Sequence, residues 1–412
     1  MKKRILLISV ITVIFVGIIL GTTTYFLSKN EGAPFGIVEA SDIKFRDDYV
    51  IQWKDTAFEN LIRQYLGKES GDIHYDDVKL IEDIEIWGQV IARQGDHFDG
   101  TSLNKDNFVV HFYDAREGNT IAQIEGKNDG KIKSMADLEH FTSLKTLSLN
   151  YQECLDITAL ANVDSIDCLH RLEDLTLISD SLVDISVVSN LIALKSLRLD
   201  YNNILDILPI SKLIDLNYVS FYDSEQLSFS DVLGLRELNN VIIFSSVNTV
   251  DLSVFNGMSE LTKMVLVGNE NIDYSLLTKL NLDYLMISCE DSKFQIVNQL
   301  TTLTTLRLYG EGYWTQTGGL TNISGIENLS NLKYLELRAP NCHDISALAS
   351  LVNLEELILK LPDDCDITAL TKIESLKKVG VYTDSASNGD SRLVDRVITL
   401  LPTNVQVSPY YY

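Results

Sequence analysis

Apolar residues recur along this chain in one pattern, with a period near 22 residues, from Phe141 to Val381. The pattern is L-x-x-L-x-x-L-x-L, followed by a polar stretch and then by D-I-x-x-L. Its clearest copies are LIALKSLRLDYNNILDILPISK from Leu191, LSNLKYLELRAPNCHDISALAS from Leu329 and LVNLEELILKLPDDCDITALTK from Leu351. Eleven copies align, and a constant period of this length predicts a solenoid in which each repeat packs on its neighbours.

In the L-x-L that closes each copy, apolar positions alternate with positions that vary between copies. This alternation is the period of a strand with one buried face. Stacked copies therefore predict a parallel sheet, which at ~4.8 Å between strands would run about 50 Å. The buried pairs are Leu147/Leu149, Leu175/Leu177, Leu197/Leu199, Val219/Phe221, Val241/Ile243, Met264/Leu266, Leu285/Ile287, Leu306/Leu308, Leu335/Leu337, Leu357/Leu359 and Val379/Val381.

The D-I-x-x-L stretch predicts the return of the chain along the opposite, convex side. Its aspartate can accept backbone N–H groups and start a helical turn. Because the period is short, this side has room only for short helical or 3₁₀ turns. The aspartates concerned are Asp156, Asp184, Asp206, Asp344 and Asp366.

On these motifs the chain resembles the bacterial internalin-like leucine-rich repeat proteins. The resemblance implies an α/β solenoid with a curved parallel β-sheet on the concave face, 3₁₀ or helical turns on the convex face, a helical N-cap and a helix-strand C-cap. It also implies a surface-displayed binding protein. A solenoid asparagine follows the strand at Asn202 and Asn269, but Pro340 and Pro362 stand elsewhere, so the middle copies are degenerate and their register is open.

Capping units are expected because a solenoid exposes an apolar edge at each end. Residues 45–140 are predicted as the N-terminal cap. DTAFENLIRQYLG predicts a helix with Asp55 at its N-cap and Gly67 at its end, and a strand-like Ile84/Ile86 pair follows. NFVVHFYDA and TIAQIEG predict a hairpin inserted in this cap.

Residues 141–382 are predicted as the repeats and residues 383–412 as the C-terminal cap. In that cap DSRLVDRVITLLP predicts a helix, and Val405 to Val407 predicts a strand. The inward positions of the helix are expected to be Val394, Val397, Ile398 and Leu401.

Residues 1–30 are predicted as a signal anchor and residues 31–44 as a linker. MKKR precedes an apolar run at residues 5–27, which is long enough to cross a bilayer as a helix. The basic flank stays in the cytoplasm, so the repeats are expected on the extracytoplasmic side of the cell membrane. A cleaved secretory signal has the same opening and would give a secreted protein, although no A-x-A site follows the run.

The charge of the chain argues against a nucleic-acid partner. The net charge is −24, with 34 basic and 58 acidic residues. Residues 1–30 hold four basic residues and no acidic ones, which leaves 30 against 58 and a net charge of −28 for the exported part. Such a body repels polyanions.

The five cysteines cannot all pair within the chain. Cys342 and Cys365 occupy nearly the same place in adjacent repeats, so stacking could bring them within bonding distance. Two small buried residues fit this pattern equally well. The pair is a candidate disulfide.

No motif in the chain predicts catalysis, and no cofactor or metal is expected. The six histidines are scattered, without H-E-x-x-H, and neither a paired C-x-x-C nor G-x-S-x-G is present. GKNDGK from Gly126 is a turn rather than a phosphate loop. DSASNGDSRLVD from Asp384 shares some residues with a calcium loop, but Ala386 replaces a ligand, so the interpretation favoured is a loop entering a helix.

The residues that flank each L-x-L pair are expected on the concave face. In the early repeats they are small or charged: Thr146, Ser148, Asp174, Thr176, Arg198 and Asp200. From the fourth repeat they turn apolar and aromatic. We expect a ligand-binding patch there, formed by Tyr218, Tyr222, Ile242, Phe244, Val265, Val267, Tyr284, Met286, Tyr309 and Tyr334. The alternative is that a register error has turned core residues outward in this set.

The larger of two insertions, GEGYWTQTGG, follows the strand of Leu306 and Leu308 directly. Insertions in a solenoid leave as loops, often on the binding side. Tyr313 and Trp314 are therefore expected to extend the patch from the base at Tyr309. The alternative is that Trp314 folds back as a lid over the neighbouring repeats.

Two functions fit the sequence, and an enzyme does not. The first is an extracytoplasmic binding protein whose partner is a protein or a glycan held on the concave face. The second is an envelope structural or regulatory module that contacts other membrane proteins of the same cell. The single anchor favours the second, and the resemblance favours the first.

Overall fold

The computed structural model describes residues 45–88, 90–91, 96–103, 107–114, 119–127, 131–152, 155–161, 167–178, 181–222, 235, 237–244, 252–267, 273–310, 319–383 and 392–411. The described residues divide into two compact units, a larger one within Phe45–Ile91 and Asp129–Tyr412 and a smaller one within Ala92–Asn128. The predicted anchor and linker, residues 1–44, lie outside the described residues. Within the described ranges, no helix has the length and apolar character needed to cross a membrane.

Four α-helices and seventeen strands are present in the described residues. The helices are α1 Thr56–Leu66, α2 Tyr75–Val78, α3 Asp291–Val297 and α4 Arg392–Leu400. The strands are β1 Asp83–Trp87, β2 Val90–Ile91, β3 Asp96–Leu103, β4 Asn107–Asp114, β5 Asn119–Lys127, β6 Thr146–Asn150, β7 Asp174–Ile178, β8 Ser196–Arg198, β9 Tyr218–Tyr222, β10 Asn240–Phe244, β11 Lys263–Val267, β12 Tyr284–Ser288, β13 Thr305–Tyr309, β14 Tyr334–Arg338, β15 Glu356–Lys360, β16 Lys378–Thr383 and β17 Gln406–Tyr411.

The larger unit is built on one sheet, which has 14 strands in the described part of the chain, in the order β17 to β6, then β1 and β2. Its strands run parallel, except that β2 is antiparallel to β1. The eleven predicted strands are β6 to β16, and their apolar pairs lie side by side in register, for example Leu335 beside Leu357. Leu199 alone falls one residue past the end of its strand, β8.

The core lies on the side of the sheet where these pairs point. Each pair residue whose burial the structure describes is at most 2% exposed, and only the side chain of Ile243 is not described. Burying one such side chain contributes roughly 1.5 to 3 kcal/mol. The predicted leucine-rich repeat solenoid, including its register in the middle repeats, is confirmed.

The predicted aspartates begin the turns of the convex side. In each case Oδ1 accepts the backbone N–H two residues ahead, at 2.7 to 2.9 Å. The pKa of Asp156 is held below its ordinary value by hydrogen bonds from the hydroxyl and then the N–H of Thr158, and the pKa values of Asp344 and Asp366 are lowered by the N–H and then the hydroxyl of Ser346 and Thr368. The turns that follow are mostly 3₁₀ helices of three to six residues, such as Ser346–Ser350.

Asn202 closes the turn after its strand, as expected. Its Oδ1 accepts the N–H of Leu182 at 3.1 Å, and its Nδ2 donates to the carbonyl of Leu177 at 2.8 Å. Gln152 does the same two repeats earlier, after β6: it accepts from Ile132 N and donates to Gly88 O, both at 2.9 Å. This role of Gln152 was not predicted, and Asn269 lies outside the described residues.

The N-terminal cap forms as predicted around α1. Asp55 accepts the N–H of Phe58 at 3.0 Å, and Gly67 ends the helix with a left-handed backbone at φ 66°. Asp137 ties the start of this helix to the turn Ala136–His140, just before the first repeat, because it accepts the N–H groups of Lys54 and Asp55 at 2.9 and 2.8 Å. Ile84 and Ile86 lie in β1, which continues the sheet beyond β6.

The C-terminal cap is α4 followed by β17. Val394, Val397 and Leu401 are buried as expected, but the prediction for Ile398 is wrong, since 54% of it is exposed. On a helix of this length the buried stripe is narrow, and Leu393, which is 2% exposed, takes the inward place instead. The loop from Asp384 that was compared with a calcium site lies outside the described residues.

The smaller unit contains a three-stranded antiparallel sheet in the order β3-β4-β5. β4 and β5 are the two arms of the predicted hairpin, and they pair from Asn107–Lys127 to Asp114–Asn119. β3 adds a third strand that the sequence pattern did not predict.

The candidate disulfide is not formed in the structure. Cys342 and Cys365 are buried free thiols. Each is directed at a backbone carbonyl instead, with Cys342 Sγ 3.4 Å from Asp344 O and Cys365 Sγ 3.3 Å from His343 O. Burial raises the pKa of both thiols, so the pair serves as small core residues.

Candidate binding surface on the concave face

The concave face carries three rows of side chains, because alternate residues of each strand point to the same side of the sheet. The first row precedes the apolar pair, the centre row lies within it and the third row follows it. Strand pairing makes the centre row continuous: Glu85, Ser148, Thr176, Arg198, Ser220, Ile242, Val265, Met286, Arg307, Glu336, Ile358, Gly380 and Ser408. The predicted concave positions therefore do lie on this face.

The apolar residues of this face form a second, smaller cluster of their own. It contains Ile242, Val265, Val267, Met286 and Tyr309, with Tyr201, Tyr218 and Tyr284 packed against it. The five members are only 1 to 8% exposed, so the expectation that they form an exposed patch is wrong. Neighbouring strands place these side chains about 4.8 Å apart, and at that spacing they cover one another.

Three tyrosines in the first row of the concave face remain partly accessible. Tyr218, Tyr284 and Tyr334 all belong to the first row, on β9, β12 and β14. Burial raises the pKa of Tyr284 and Tyr334, so both phenols stay neutral at physiological pH. Tyr222 and Phe244 hold strand positions in the third row, and Tyr313 and Trp314 lie outside the described residues.

A cluster of charged and aromatic groups continues the face over β13 to β16. Arg338 Nε donates to Glu336 Oε1 at 2.7 Å, and the hydroxyl of Tyr382 donates to the same oxygen at 2.9 Å. Arg307 Nη1 lies 3.5 Å from the other carboxylate oxygen of Glu336. Glu336 is 2% exposed, so this carboxylate is held by three neighbouring groups rather than by water.

The guanidinium of Arg338 lies between two aromatic rings. Its central carbon is 4.3 Å from the ring centroid of Tyr309 on one side and 4.3 Å from that of Tyr382 on the other. A cation over a ring face is attracted by the ring quadrupole, typically by about 0.5 to 2 kcal/mol. Burial and the charge of Glu336 raise the pKa of Tyr309 and Tyr382, which keeps both rings neutral.

This Arg–Glu–Tyr cluster was missed by the sequence interpretation, which selected apolar and tyrosine positions only. The signal was present in TLRLY and YLELR, where charged residues alternate with leucines inside two strands. Charged residues at the centre row of adjacent strands pair across the sheet, as Arg307 and Glu336 do here.

The first strands of the face carry a polar region. Asp200 is fully buried, its Oδ2 accepts from Arg198 Nε, and its Oδ1 accepts from the hydroxyl of Ser220 at 2.6 Å. On β1, burial raises the pKa of Glu85 to about 7 even though Trp87 Nε1 donates to its Oε1 at 3.1 Å. Asp83, on the same strand, raises it further.

The arrangement of side chains on this face suits the binding of a partner. In the described ranges no group of three or more histidine, cysteine or carboxylate side chains could hold a metal ion. Several polar groups of the face hold one another in place: Ser220 donates to Asp200, Arg338 and Tyr382 donate to Glu336, and Lys378 pairs with Glu356. Fixed side chains on a rigid sheet lose little entropy when a partner binds.

No protein-family model matches the chain, and no curated protein matches it. Solved structures do. The internalin InlF of Listeria monocytogenes is 19% identical, over 87% of this chain and 95% of that one, with a TM-score of 0.49. The functional domain of InlJ from the same organism is 15% identical, over 90% and 72%, with a TM-score of 0.47.

The plant peptide hormone receptor RGFR1, solved in complex with RGF2, is 15% identical over 69% of this chain and 51% of that one, with a TM-score of 0.36. Internalins are thus among the structures to which this chain is similar. The leucine-rich repeat fold itself is established by the chain's own sheet, register and turns.

Proposed function

We propose that this chain is a non-enzymatic, extracytoplasmic binding protein that holds a protein partner on the concave face. The observation that carries the proposal is the set of partly accessible tyrosine rings, Tyr218, Tyr284 and Tyr334, on a rigid sheet. A ring that is already held in place loses little freedom on binding, and tyrosine is among the residue types that dominate interface energies.

The test uses the full chain, purified in detergent. It is incubated with an extract of a host or neighbouring cell, and separately with the envelope of the producing cell, and the retained proteins are identified by mass spectrometry. We expect Tyr218→Ala and Tyr284→Ala to reduce retention of the same protein severalfold.

The matched control is Val352→Ala, because Val352 is 67% exposed and lies in the turn before β15, outside the concave rows. It is expected to leave retention unchanged. Equal retention by the parent and both tyrosine variants would contradict binding on this face. Loss of retention after enzymatic deglycosylation of the extract would instead indicate a glycan ligand.

The insertion is proposed to extend the same surface. Tyr313 and Trp314 follow β13, whose last residue, Tyr309, is a member of the concave cluster. Trp314→Ala and Phe244→Ala are each expected to weaken binding of the captured partner by more than about 1 kcal/mol with thermal unfolding unchanged. A melting temperature lowered by several degrees in Trp314→Ala would show that the loop is a structural lid.

The location of the protein is part of the proposal. The apolar run at residues 5–27 is proposed to hold it in the cell membrane with the repeats outside. Mass spectrometry of the protein from its native source is expected to find residues 1–30 intact in the membrane fraction. An N-terminus between residues 22 and 40, with protein free in the medium, would show a cleaved leader instead.

The second candidate function is an envelope structural or regulatory module. The anchor is the feature that favours it, since a membrane-held solenoid meets other membrane proteins of its own cell. Retention of a partner from the producer's own envelope, and none from other cells, is the outcome expected for this function.

A further inference from the structure

Charged side chains on the concave face are sorted by sign along the sheet. The strands at one end, β1, β7 and β8 with the start of the turn after β8, carry four carboxylates and one guanidinium: Asp83, Glu85, Asp174 and Asp200 with Arg198. The strands at the other end, β13 to β16, carry four cations and two carboxylates: Arg307, Arg338, Lys360 and Lys378 with Glu336 and Glu356. The face therefore has an acidic end and a basic end.

The basic end is notable because the chain as a whole has a net charge of −24. Its cations outnumber its carboxylates by two. Both carboxylates also have a cation close by: Lys378 Nζ lies 2.7 Å from Glu356 Oε1, and Arg338 Nε lies 2.7 Å from Glu336 Oε1. The general acidity of the surface does not account for this reversal of sign.

Between the two ends lie β10 to β12, which carry four of the five members of the apolar cluster, and Lys263 is the one charged residue of the described concave rows on these strands. From β7 to β14 there are seven strand intervals in the sheet. At ~4.8 Å each they span about 34 Å, which is the length of about ten extended residues.

We infer that the concave face binds an extended polypeptide segment that is basic at the end lying over β1 and β7, apolar or aromatic at its centre and acidic at the end lying over β13 to β16. This inference rests on the proposed function and adds the chemistry and orientation of the partner. A uniformly charged segment would meet like charge at one end, and juxtaposed like charges select against wrong partners and wrong orientations.

The experiment measures fluorescence anisotropy of labelled synthetic peptides with the full chain in detergent at low salt. The bipolar peptide has a lysine block, a centre rich in tyrosine and valine, and a glutamate block. The comparison peptide has the same composition with lysine and glutamate alternating. We expect the bipolar peptide to bind at least about tenfold more tightly, and this ratio to shrink as salt is raised.

Two variants with the same change of charge separate the face from the rest of the surface. The first variant is Asp83→Lys, at an exposed residue of the acidic end. The second is Glu374→Lys, at an exposed residue in the turn before β16. Asp83→Lys is expected to lower the preference for the bipolar peptide severalfold and to raise affinity for a peptide with glutamate blocks at both ends. Glu374→Lys is expected to behave like the parent.

Thermal unfolding of both variants establishes that they are folded before binding is compared. Equal affinity for the bipolar and alternating peptides would overturn the inferred polarity while leaving binding by the concave face intact. Failure of both peptides to bind would overturn the inference that the concave face binds an extended segment. Neither outcome bears on the retention experiment with the tyrosine variants, which tests the proposed function separately.

Discussion

Glu336 accepts a hydrogen bond at 2.7 Å from Nε of Arg338, two residues further along β14. Both side chains stand on the concave face, because alternate residues of a strand share a side. The same carboxylate meets Tyr382 from β16 and Arg307 from β13. One buried acid thus holds together side chains from three strands, and it fixes the basic end of the face.

Removing the charge of Glu336 is expected to destabilise the protein. Glu336→Gln leaves two largely buried guanidiniums without their carboxylate, and breaking such a pair typically costs about 3 to 5 kcal/mol. The midpoint of urea unfolding measures this loss. Glu355→Gln removes one member of an exposed pair with Lys377, at 2.6 Å, and should change the midpoint little. Equal midpoints for the two variants would show that Glu336 is not a structural centre of the face.

Stability of the repeats is expected to depend on the core pairs. Leu357 is fully buried between the equivalent leucine and valine of the adjacent repeats, Leu335 and Val379. Leu357→Ala should cost about 2 to 5 kcal/mol, because neighbouring repeats cannot close the cavity. Val352→Ala, in the same repeat but exposed, should cost far less. Denaturant unfolding followed by circular dichroism compares the two, and a similar loss for both would contradict the register.

The polar closure of the turns gives a further prediction. Asn202→Ala leaves the N–H of Leu182 and the carbonyl of Leu177 unpaired in a buried turn, which should cost about 1 to 3 kcal/mol. Gln152→Ala should cost a similar amount, since Gln152 makes the equivalent hydrogen bonds. The control is Asn203→Ala, at the exposed neighbouring position. A thermal unfolding midpoint of Asn202→Ala that matches the control would refute this role.

The raised pKa of Glu85 leads us to expect that the stability of the protein depends on pH. Its pKa is raised to about 7 in the folded chain, chiefly by burial, above the ordinary value of 4.5. Between these two pH values the folded state binds the proton more strongly than the unfolded state, so stability decreases as pH rises from about 4.5 to 7. Glu85→Gln removes this dependence.

The unfolding free energy of Glu85→Gln should therefore increase relative to that of the parent as the pH rises from 5 to 8. Chemical denaturation at several pH values measures it. Glu374→Gln is the control, because it makes the same chemical change at an exposed residue in the turn before β16, at the other end of the sheet. A difference that stays constant across this range would mean that Glu85 titrates near its ordinary value.

The sequence by itself determined the fold and, in the clear copies of the repeat, its register. A pattern repeated eleven times leaves one way to bury every L-x-L pair, and a slip by one residue would turn each pair to the wrong face. The turn aspartates, the N-cap at Asp55 and the end of α1 at Gly67 were equally predictable, because each depends on hydrogen bonds or backbone geometry within a few residues.

Only the tertiary structure decided how accessible the concave side chains are and which of them pair. Ile242 and Val265 were placed correctly by the pattern, but they are buried in a cluster that includes rings from other strands, such as Tyr218 and Tyr284. The cluster of Arg307, Glu336 and Arg338 with Tyr382 joins residues up to 75 positions apart. Contacts of that kind depend on how repeats stack in space, and no local pattern encodes them.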